Sequence, residues 1–211
     1  YGTITIKRIY GDFTISQNQN WKDVLLEYSI SPKQQYNYTT KKNSSDSSLI
    51  IDALDILYTK DVDGFCIVSS DSDFTNLAQR LRESGKMVIG MGERKTPKPF
   101  IAACNEFKYL EILLDNDEDK DASHVSSVSE QTILNAIIAI ITEAGNSSSI
   151  YMGGLGTHLI KRFPDFDPRN YGYANLKKFL SSFKQLEIDQ KNTSSNVRLK
   201  GVSKDQDLKE I

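Results

Sequence analysis

The segment that decides the fold reads Phe65-Cys66-Ile67-Val68-Ser69-Ser70-Asp71-Ser72-Asp73-Phe74. A short apolar run ends in two carboxylates separated by one serine, and an amphipathic helix pattern follows over 74–81. This order predicts a buried strand that delivers Asp71 and Asp73 to the edge of a sheet, at the start of a helix. Ligands of open α/β sheets bind at that edge. Paired carboxylates there suit a hard divalent cation such as Mg²⁺.

Strand and helix patterns alternate over 1–114, which favours an α/β domain with a parallel sheet and helices on both faces. An acidic stretch that continues into serines predicts a linker over 115–129. The pattern over 130–201 is mostly helical with two short strands at its end, which predicts a small winged-helix-like domain. Residues 202–211 form a polar tail.

The periodicity also predicts individual elements. Strands are expected at 3–10, 33–38, 64–69, 86–90, 186–190 and 196–200. Helices are expected at 21–28, 46–58, 73–84 and 130–144, after Pro97, and around Leu155 and Leu176.

The bulk composition excludes several classes of protein. The net charge is −2 and 38% of the residues are apolar. No apolar run approaches the roughly 18 residues that a membrane span needs, and the start of the chain has no signal-peptide pattern. We therefore predict a cytoplasmic protein without membrane contact, in which Cys66 and Cys104 are buried thiols. Residues 130–201 carry nine positive and six negative side chains, which permits contact with phosphates.

A third carboxylate joins the pair after the strand. Asp46 heads the apolar stripe of the predicted helix 46–58, and a carboxylate aligned with a core-facing stripe is costly unless something compensates its charge. A cation shared with Asp71 and Asp73 would compensate it. The residue types alone do not decide between functional and structural roles for Asp52, on the flank of the helix, and Asp12, after the first strand.

Each acid also has a plainer explanation, because aspartates are common helix caps and favour the positive end of the helix dipole. Three of them at successive helix entrances on one sheet edge favour function. The segment 71–75 also fits the DxDxT motif of haloacid-dehalogenase-type phosphatases, but too little chain follows it for that domain. Gly90-Met91-Gly92 is a weak phosphate-loop signal because it lacks the third glycine.

Residues 1–114 resemble most of an NYN domain of the LabA/DUF88 type, which has a PIN-like nuclease fold. The resemblance is carried by Tyr10-Gly11-Asp12, Lys42-Asn43-Ser44-Ser45-Asp46, Asp52-Ala53-Leu54-Asp55, Ile67-Val68-Ser69-Ser70-Asp71-Ser72-Asp73-Phe74, and Phe107-Lys108-Tyr109-Leu110-Glu111. It implies that Asp46, Asp71 and Asp73 bind Mg²⁺ or Mn²⁺ for RNA cleavage.

One feature departs from that family. Its members open with a strand that carries an aspartate and usually a nearby asparagine, and no such strand precedes Tyr1. We therefore expect the first strand to be missing from these residues, either because it lies upstream of Tyr1 or because the protein lacks it. The sheet and the metal site would then both be incomplete.

Residues 130–200 resemble the OST-HTH or LOTUS domain, most clearly in Phe163-Pro164-Asp165-Phe166-Asp167-Pro168-Arg169-Asn170-Tyr171-Gly172-Tyr173. The resemblance implies a module that binds RNA or docks a protein. Its basic and aromatic side chains are candidates for phosphate contact and base stacking. The candidates are Lys161, Arg162, Arg169, Lys177 and Lys178 for phosphates, and Tyr171 and Tyr173 for bases. The plainer alternative is that the cations are solvated and the aromatics belong to the core.

Three functions follow from these observations. The leading hypothesis is a metal-dependent ribonuclease that uses Asp46, Asp71 and Asp73, with Asp52 as an outer ligand. The C-terminal domain would bring RNA to it through a flexible linker. The alternatives are a non-catalytic RNA-binding adaptor and a module that docks a protein partner through its C-terminal domain.

Overall fold

The computed structural model describes residues 1–15, 21–36, 44–114, 128–144, 149–191 and 194–200. Most of the predicted linker, the whole predicted tail, and Lys42 and Asn43 of the family segment lie outside these residues. No helix within the described ranges is long and apolar enough to cross a bilayer.

The first two strands form a small parallel sheet of their own. Strand β1 (Arg8–Gly11) pairs with β2 (Ser31–Gln34), and helix α1 (Trp21–Glu27) connects them. The alternation of residues 3–10 predicted a longer strand than the structure shows. Only the part that faces a partner strand is paired, because a strand needs a neighbour to satisfy its backbone groups.

The next three strands form a second parallel sheet in the order β3-β4-β5. They are β3 (Gly64–Val68), β4 (Met87–Gly92) and β5 (Glu106–Tyr109). The helices that flank or follow these strands are α2 (Ser44–Thr59), α3 (Thr75–Glu83), α4 (Lys98–Ala103) and α5 (Leu110–Leu114). The α/β class is therefore confirmed, but the described strands form two sheets where one was expected.

The core of this domain lies between the second sheet and its helices. Phe74, Leu81, Phe100 and Phe107 are each at most 2% exposed, and the rings of Phe100 and Phe107 meet edge to face. The expectation of two buried thiols holds for Cys104 but is wrong for Cys66, which is exposed on β3. The outer face of this strand is open to solvent.

The described part of the C-terminal domain combines three α-helices with an antiparallel sheet. The helices are α6 (Glu130–Glu143), α7 (Met152–Arg162) and α8 (Leu176–Ser181), and the sheet has the order β6-β8-β7. Its strands are β6 (Ser149–Tyr151), β7 (Leu186–Lys191) and β8 (Ser194–Leu199). The winged-helix-like plan is confirmed in outline. The sequence did not predict β6, because three residues are too few to show an alternation.

The two domains touch along β5, which is an edge strand of its sheet. The amide of Phe107 donates a hydrogen bond of 2.7 Å to the carbonyl of Pro164. Tyr109 Oη donates to Asp165 Oδ2 over 3.0 Å, and Lys108 Nζ lies 3.1 Å from Asp167 Oδ2. We call residues 163–167 the docking segment. It covers a strand edge that would otherwise present unpaired backbone groups.

Candidate functional site

The acids of the deciding segment lie just beyond the carboxyl end of β3. A 3₁₀ helix spans Ser72–Phe74, and Phe74 anchors it because its ring is only 2% exposed. Asp71 is the N-cap of this helix and accepts a hydrogen bond of 2.9 Å from the backbone N–H of Asp73. The capping role is therefore real for Asp71. It uses one carboxylate oxygen, Oδ1.

Asp46 is brought to the same edge by the first turn of α2. Burial raises the pKa of its carboxyl, and the negative charges of Asp71 and Asp73 raise it further. The three carboxylates, which we call the acidic rim, therefore lie within electrostatic reach of one another. Their mutual repulsion is unfavourable, and a bound cation would reverse it.

The acidic rim fits a divalent cation in donor type and charge, because carboxylate oxygens are the ligands that Mg²⁺ and Mn²⁺ prefer. Within the described parts of the chain, no group of three His, Cys, Asp or Glu side chains is arranged so that it could hold a metal ion. The structure thus shows that the charges of Asp71 and Asp73 act on Asp46. Metal binding by the acidic rim stays a prediction.

A further acid stands at the same end of the sheet, after β5. Glu111 lies in the first turn of α5, and its Oε1 accepts a 2.9 Å hydrogen bond from the amide of Arg94. Its Oε2 is buried without a hydrogen-bond partner among the described residues. In the sequence, Glu111 was a candidate only as a member of the family segment 107–111. An acid opening the helix after the third parallel strand is the signal that could have singled it out.

Asp52 points to a different partner. Arg8 Nη1 lies 2.5 Å from both of its oxygens, and Tyr10 Oη also donates to it. Burial opposes ionisation of Asp52, but the hydrogen bonds from Tyr10 and Arg8 outweigh it and lower the pKa of the carboxyl. Asp52 therefore joins α2 to β1. The structure does not place its charge among those that act on Asp46.

Asp12 is also occupied locally. Its Oδ1 accepts hydrogen bonds from the amide and hydroxyl of Thr14 and from Nε2 of Gln34, at 3.0, 2.6 and 2.8 Å. This is a turn stabilised by an aspartate side chain. The weak phosphate-loop signal also has a structural explanation, because Gly90 lies inside β4, where a β-carbon would clash with Phe107.

The predicted RNA-contacting cations separate into two exposed pairs and one engaged residue. Lys161 and Arg162 end α7, and Lys177 and Lys178 lie on α8. Arg169 is held against Asp167, with Nη2 to Oδ2 at 2.9 Å and Nε to Oδ1 at 3.0 Å. The two exposed pairs remain candidates for phosphate contact.

The stacking role expected for the tyrosines does not agree with their positions. Tyr171 is 5% exposed and donates a 3.0 Å hydrogen bond to the carbonyl of Val128. Tyr173 is partly buried and meets the ring of Phe179 edge to face at 5.3 Å. Both rings pack against the core, which is the plainer alternative stated above. The sequence suggested exposed rings because both tyrosines lie in a polar, glycine-containing segment that is typical of a surface loop.

Comparison with known families agrees with this architecture. The sequence model of the NYN domain matches residues 1–111, and that of the OST-HTH/LOTUS domain matches residues 131–198. A comparison with curated proteins found no match. Among solved structures, the crystal structure of a protein of unknown function from Vibrio parahaemolyticus RIMD 2210633 is similar at 21% identity, with a TM-score of 0.43. The match covers 50% of this chain and 68% of that one.

Proposed function

We propose, from the premise that this chain belongs to the NYN domain family, that it is a cytoplasmic ribonuclease that depends on a divalent metal ion. One observation carries the proposal. Asp46 in the first turn of α2 lies close enough to Asp71 and Asp73, which follow β3, for their negative charges to act on it. Structural aspartates are normally paired with cations or amides, whereas acids that repel one another are typical of functional sites.

Asp46, Asp71 and Asp73 would hold Mg²⁺ or Mn²⁺. The bound ion would lower the pKa of a water molecule and stabilise negative charge on the phosphate being cleaved. The chain itself positions the acids through two devices. The buried ring of Phe74 fixes the 3₁₀ helix, and the capping bond from the amide of Asp73 orients the carboxylate of Asp71.

The C-terminal domain supports an RNA substrate. An OST-HTH/LOTUS domain occupies residues 131–198, and its exposed cations on α7 and α8 suit phosphates. We therefore assign RNA as the partner of the chain, with substrate recruitment as the task of this domain. A module that docks a protein partner remains the alternative, and a full chain that does not bind RNA at moderate salt would favour it.

Cleavage of a labelled single-stranded RNA by the full chain tests the proposal, with Mn²⁺ present or chelated. We expect Asp71→Asn to lower the rate at least a hundredfold. Asparagine keeps the oxygen that caps the 3₁₀ helix, so the substitution removes charge while preserving the local fold. Asp55→Asn is the matched control, because Asp55 is exposed on the same helix as Asp46.

Equal rates for the parent chain and Asp71→Asn would remove the nuclease proposal. Retained RNA binding without metal-dependent cleavage in either protein would identify the adaptor instead. A rate loss in Asp55→Asn as large as that in Asp71→Asn would also contradict the proposal, since it would reflect a general effect of charge.

A further inference from the structure

A cleft of about 500 Å³ lies where the two domains meet, beside the docking segment. Its NYN wall comes from the ends of α3 and α4 and the starts of β4 and β5. Its other wall comes from the last turns of α7 and from Pro164. The cleft is separate from the acidic rim, because it opens at the amino ends of the strands. Along β4 the two ends lie about 17 Å apart.

The two walls of the cleft are fixed relative to each other by ion pairs of Lys108 that are costly to break. Lys108 Nζ lies between Glu106 Oε1 at 2.9 Å and Asp167 Oδ2 at 3.1 Å, and both carboxylates are at most 10% exposed. Burial raises the pKa of Asp167, but Arg169 and Lys108 outweigh it and bring the pKa to about 2. Separating the domains would strand buried charges, so the relative position of the cleft walls is well defined.

The charge of the cleft is positive. Arg82, Lys161 and Arg162 line it, and all three are exposed. Arg82 Nη1 also donates to the carbonyls of Ala102 and Ala103, both at 3.1 Å, so its position is fixed by the end of α4. The carboxylate that lines the cleft, that of Glu106, is compensated by Lys108.

Most of the remaining lining is apolar and suits a flat ring, and Asn105 and Thr157 add polar groups. Met87, Ala102, Ile160 and Pro164 contribute to it. A cavity of this volume accommodates a ligand the size of a nucleotide. Exposed cations beside an apolar surface match a phosphate joined to a base, because single-stranded nucleic acid binds in positively charged grooves.

We propose that this interdomain cleft binds one nucleotide of a single-stranded RNA, with Lys161 and Arg162 on its phosphates and the apolar wall against its base. The inference rests on the proposed function for the choice of RNA as the ligand. It makes the cleft a second RNA contact, remote from the acidic rim, that both domains must form together. A short RNA that reaches only the rim gains nothing from it.

The test measures anisotropy of a labelled 20-nucleotide RNA with the full chain in EDTA, where metal-dependent cleavage is suppressed. We expect the double variant Lys161→Gln with Arg162→Gln to weaken binding about tenfold. The slope of log K against log salt should fall by about 1.4, the value for two phosphate contacts on a single strand. The matched control is Lys60→Gln with Lys200→Gln, which removes the same charge from exposed positions outside the cleft and should weaken binding less than threefold.

Equal losses from the two double variants would overturn the inference, because they would show attraction by general charge. A competition experiment distinguishes a free nucleotide from a nucleotide within an RNA strand. If adenosine monophosphate displaces the labelled RNA as effectively as unlabelled RNA does, the inference is also overturned. Thermal unfolding of both variants checks that they fold. The binding assay needs no cleavage, so a parent chain that binds through the cleft but does not cut RNA refutes only the nuclease proposal.

Discussion

Two aspartates on one helix show how position decides the use of the same side chain. Asp46, in the first turn of α2, faces the charges of Asp71 and Asp73, and the pKa of its carboxyl is raised. Asp52, further along α2, faces Arg8 and Tyr10, and the pKa of its carboxyl is lowered. Asp46 is repelled by neighbouring carboxylates, which suggests that its role depends on a bound ligand. Asp52 is attracted to Arg8, which suggests a structural role.

Removing the charge of Asp46 should stabilise the metal-free protein. We expect Asp46→Asn to raise the free energy of unfolding at pH 7 in EDTA, by less than about 1 kcal/mol because the site is partly solvated. A raised folded-state pKa means that the parent chain regains stability as pH falls through that pKa. The advantage of the variant should therefore shrink on acidification, as measured by urea unfolding across pH.

Asp52→Asn provides the opposite comparison on the same helix. A lowered folded-state pKa contributes stability that is present above the unfolded pKa and is lost as pH falls through the folded value. The variant should therefore be less stable than the parent at pH 7, by about 1 kcal/mol, and the deficit should vanish in acid. Identical pH dependence in the two variants would contradict the assignment of their partners.

Among the elements, the central ones were the most predictable. The apolar run before Asp71 and the stripe over 74–81 place β3 and α3 within two residues of their observed bounds, because each element is bounded by turn or capping residues. Strand β1 was less predictable, because its length depends on how far β2 pairs with it. The docking of β5 against residues 163–167 could not be predicted, since it depends on contacts between distant parts of the chain.

In the candidate site, too, features set by local sequence were predictable and contacts between distant residues were not. The sequence identified Asp46, Asp71 and Asp73 as a group because each falls at a helix start, and the structure brings their charges together. It could not show that Asp52 has a partner in Arg8, 44 residues away, since ion pairs between elements leave no local pattern. Tyr171 was misjudged for a related reason, as the core that buries it comes from other helices.

Strand β4 and helix α7 respond differently to an added methyl group. At Gly90 a β-carbon would lie 2.5 Å from Phe107 Cδ2 and 2.7 Å from Cys104 Sγ, whereas at Gly154 it would meet nothing within 4 Å. We expect Gly90→Ala to cost about 1–3 kcal/mol through overpacking. Gly154→Ala should be neutral or stabilise by up to about 1 kcal/mol. Thermal unfolding of the full chain measures both, and equal midpoints would contradict the close packing of β4.

In the molecule as a whole, the structure changes the picture of two domains joined only by a tether. The docking segment places three successive residues of β5 in contact with the C-terminal domain, through one backbone bond and two side-chain contacts. The side chains that face each other there are largely buried. Recruitment of RNA would then depend on a defined arrangement of the domains, in addition to the local concentration that a linker provides.

A double-mutant cycle tests this arrangement directly. We expect Lys108→Met and Asp167→Asn to show a coupling energy of about 1–3 kcal/mol, because the two side chains contact each other across the interface. Asparagine keeps the oxygen that accepts from the amide of Arg169, so the local turn survives. The measurement is urea unfolding of the full chain and of each variant.

Lys98→Met replaces Lys108→Met in the control cycle, because Lys98 is exposed at the start of α4. Its coupling to Asp167→Asn should be near zero, as expected for sites that share no contact. Additive effects in both cycles would mean that the domains are not docked in solution.

The covered edge of β5 also bears on any attempt to study the halves separately. A polypeptide that stopped after residue 114 would leave the amide of Phe107 and its neighbours without cover, as an open template for another copy. Such a fragment should self-associate and precipitate even if every residue of the acidic rim were intact. The C-terminal domain would thus protect its neighbour from self-association, and the solubility of the NYN domain would depend on the entire polypeptide.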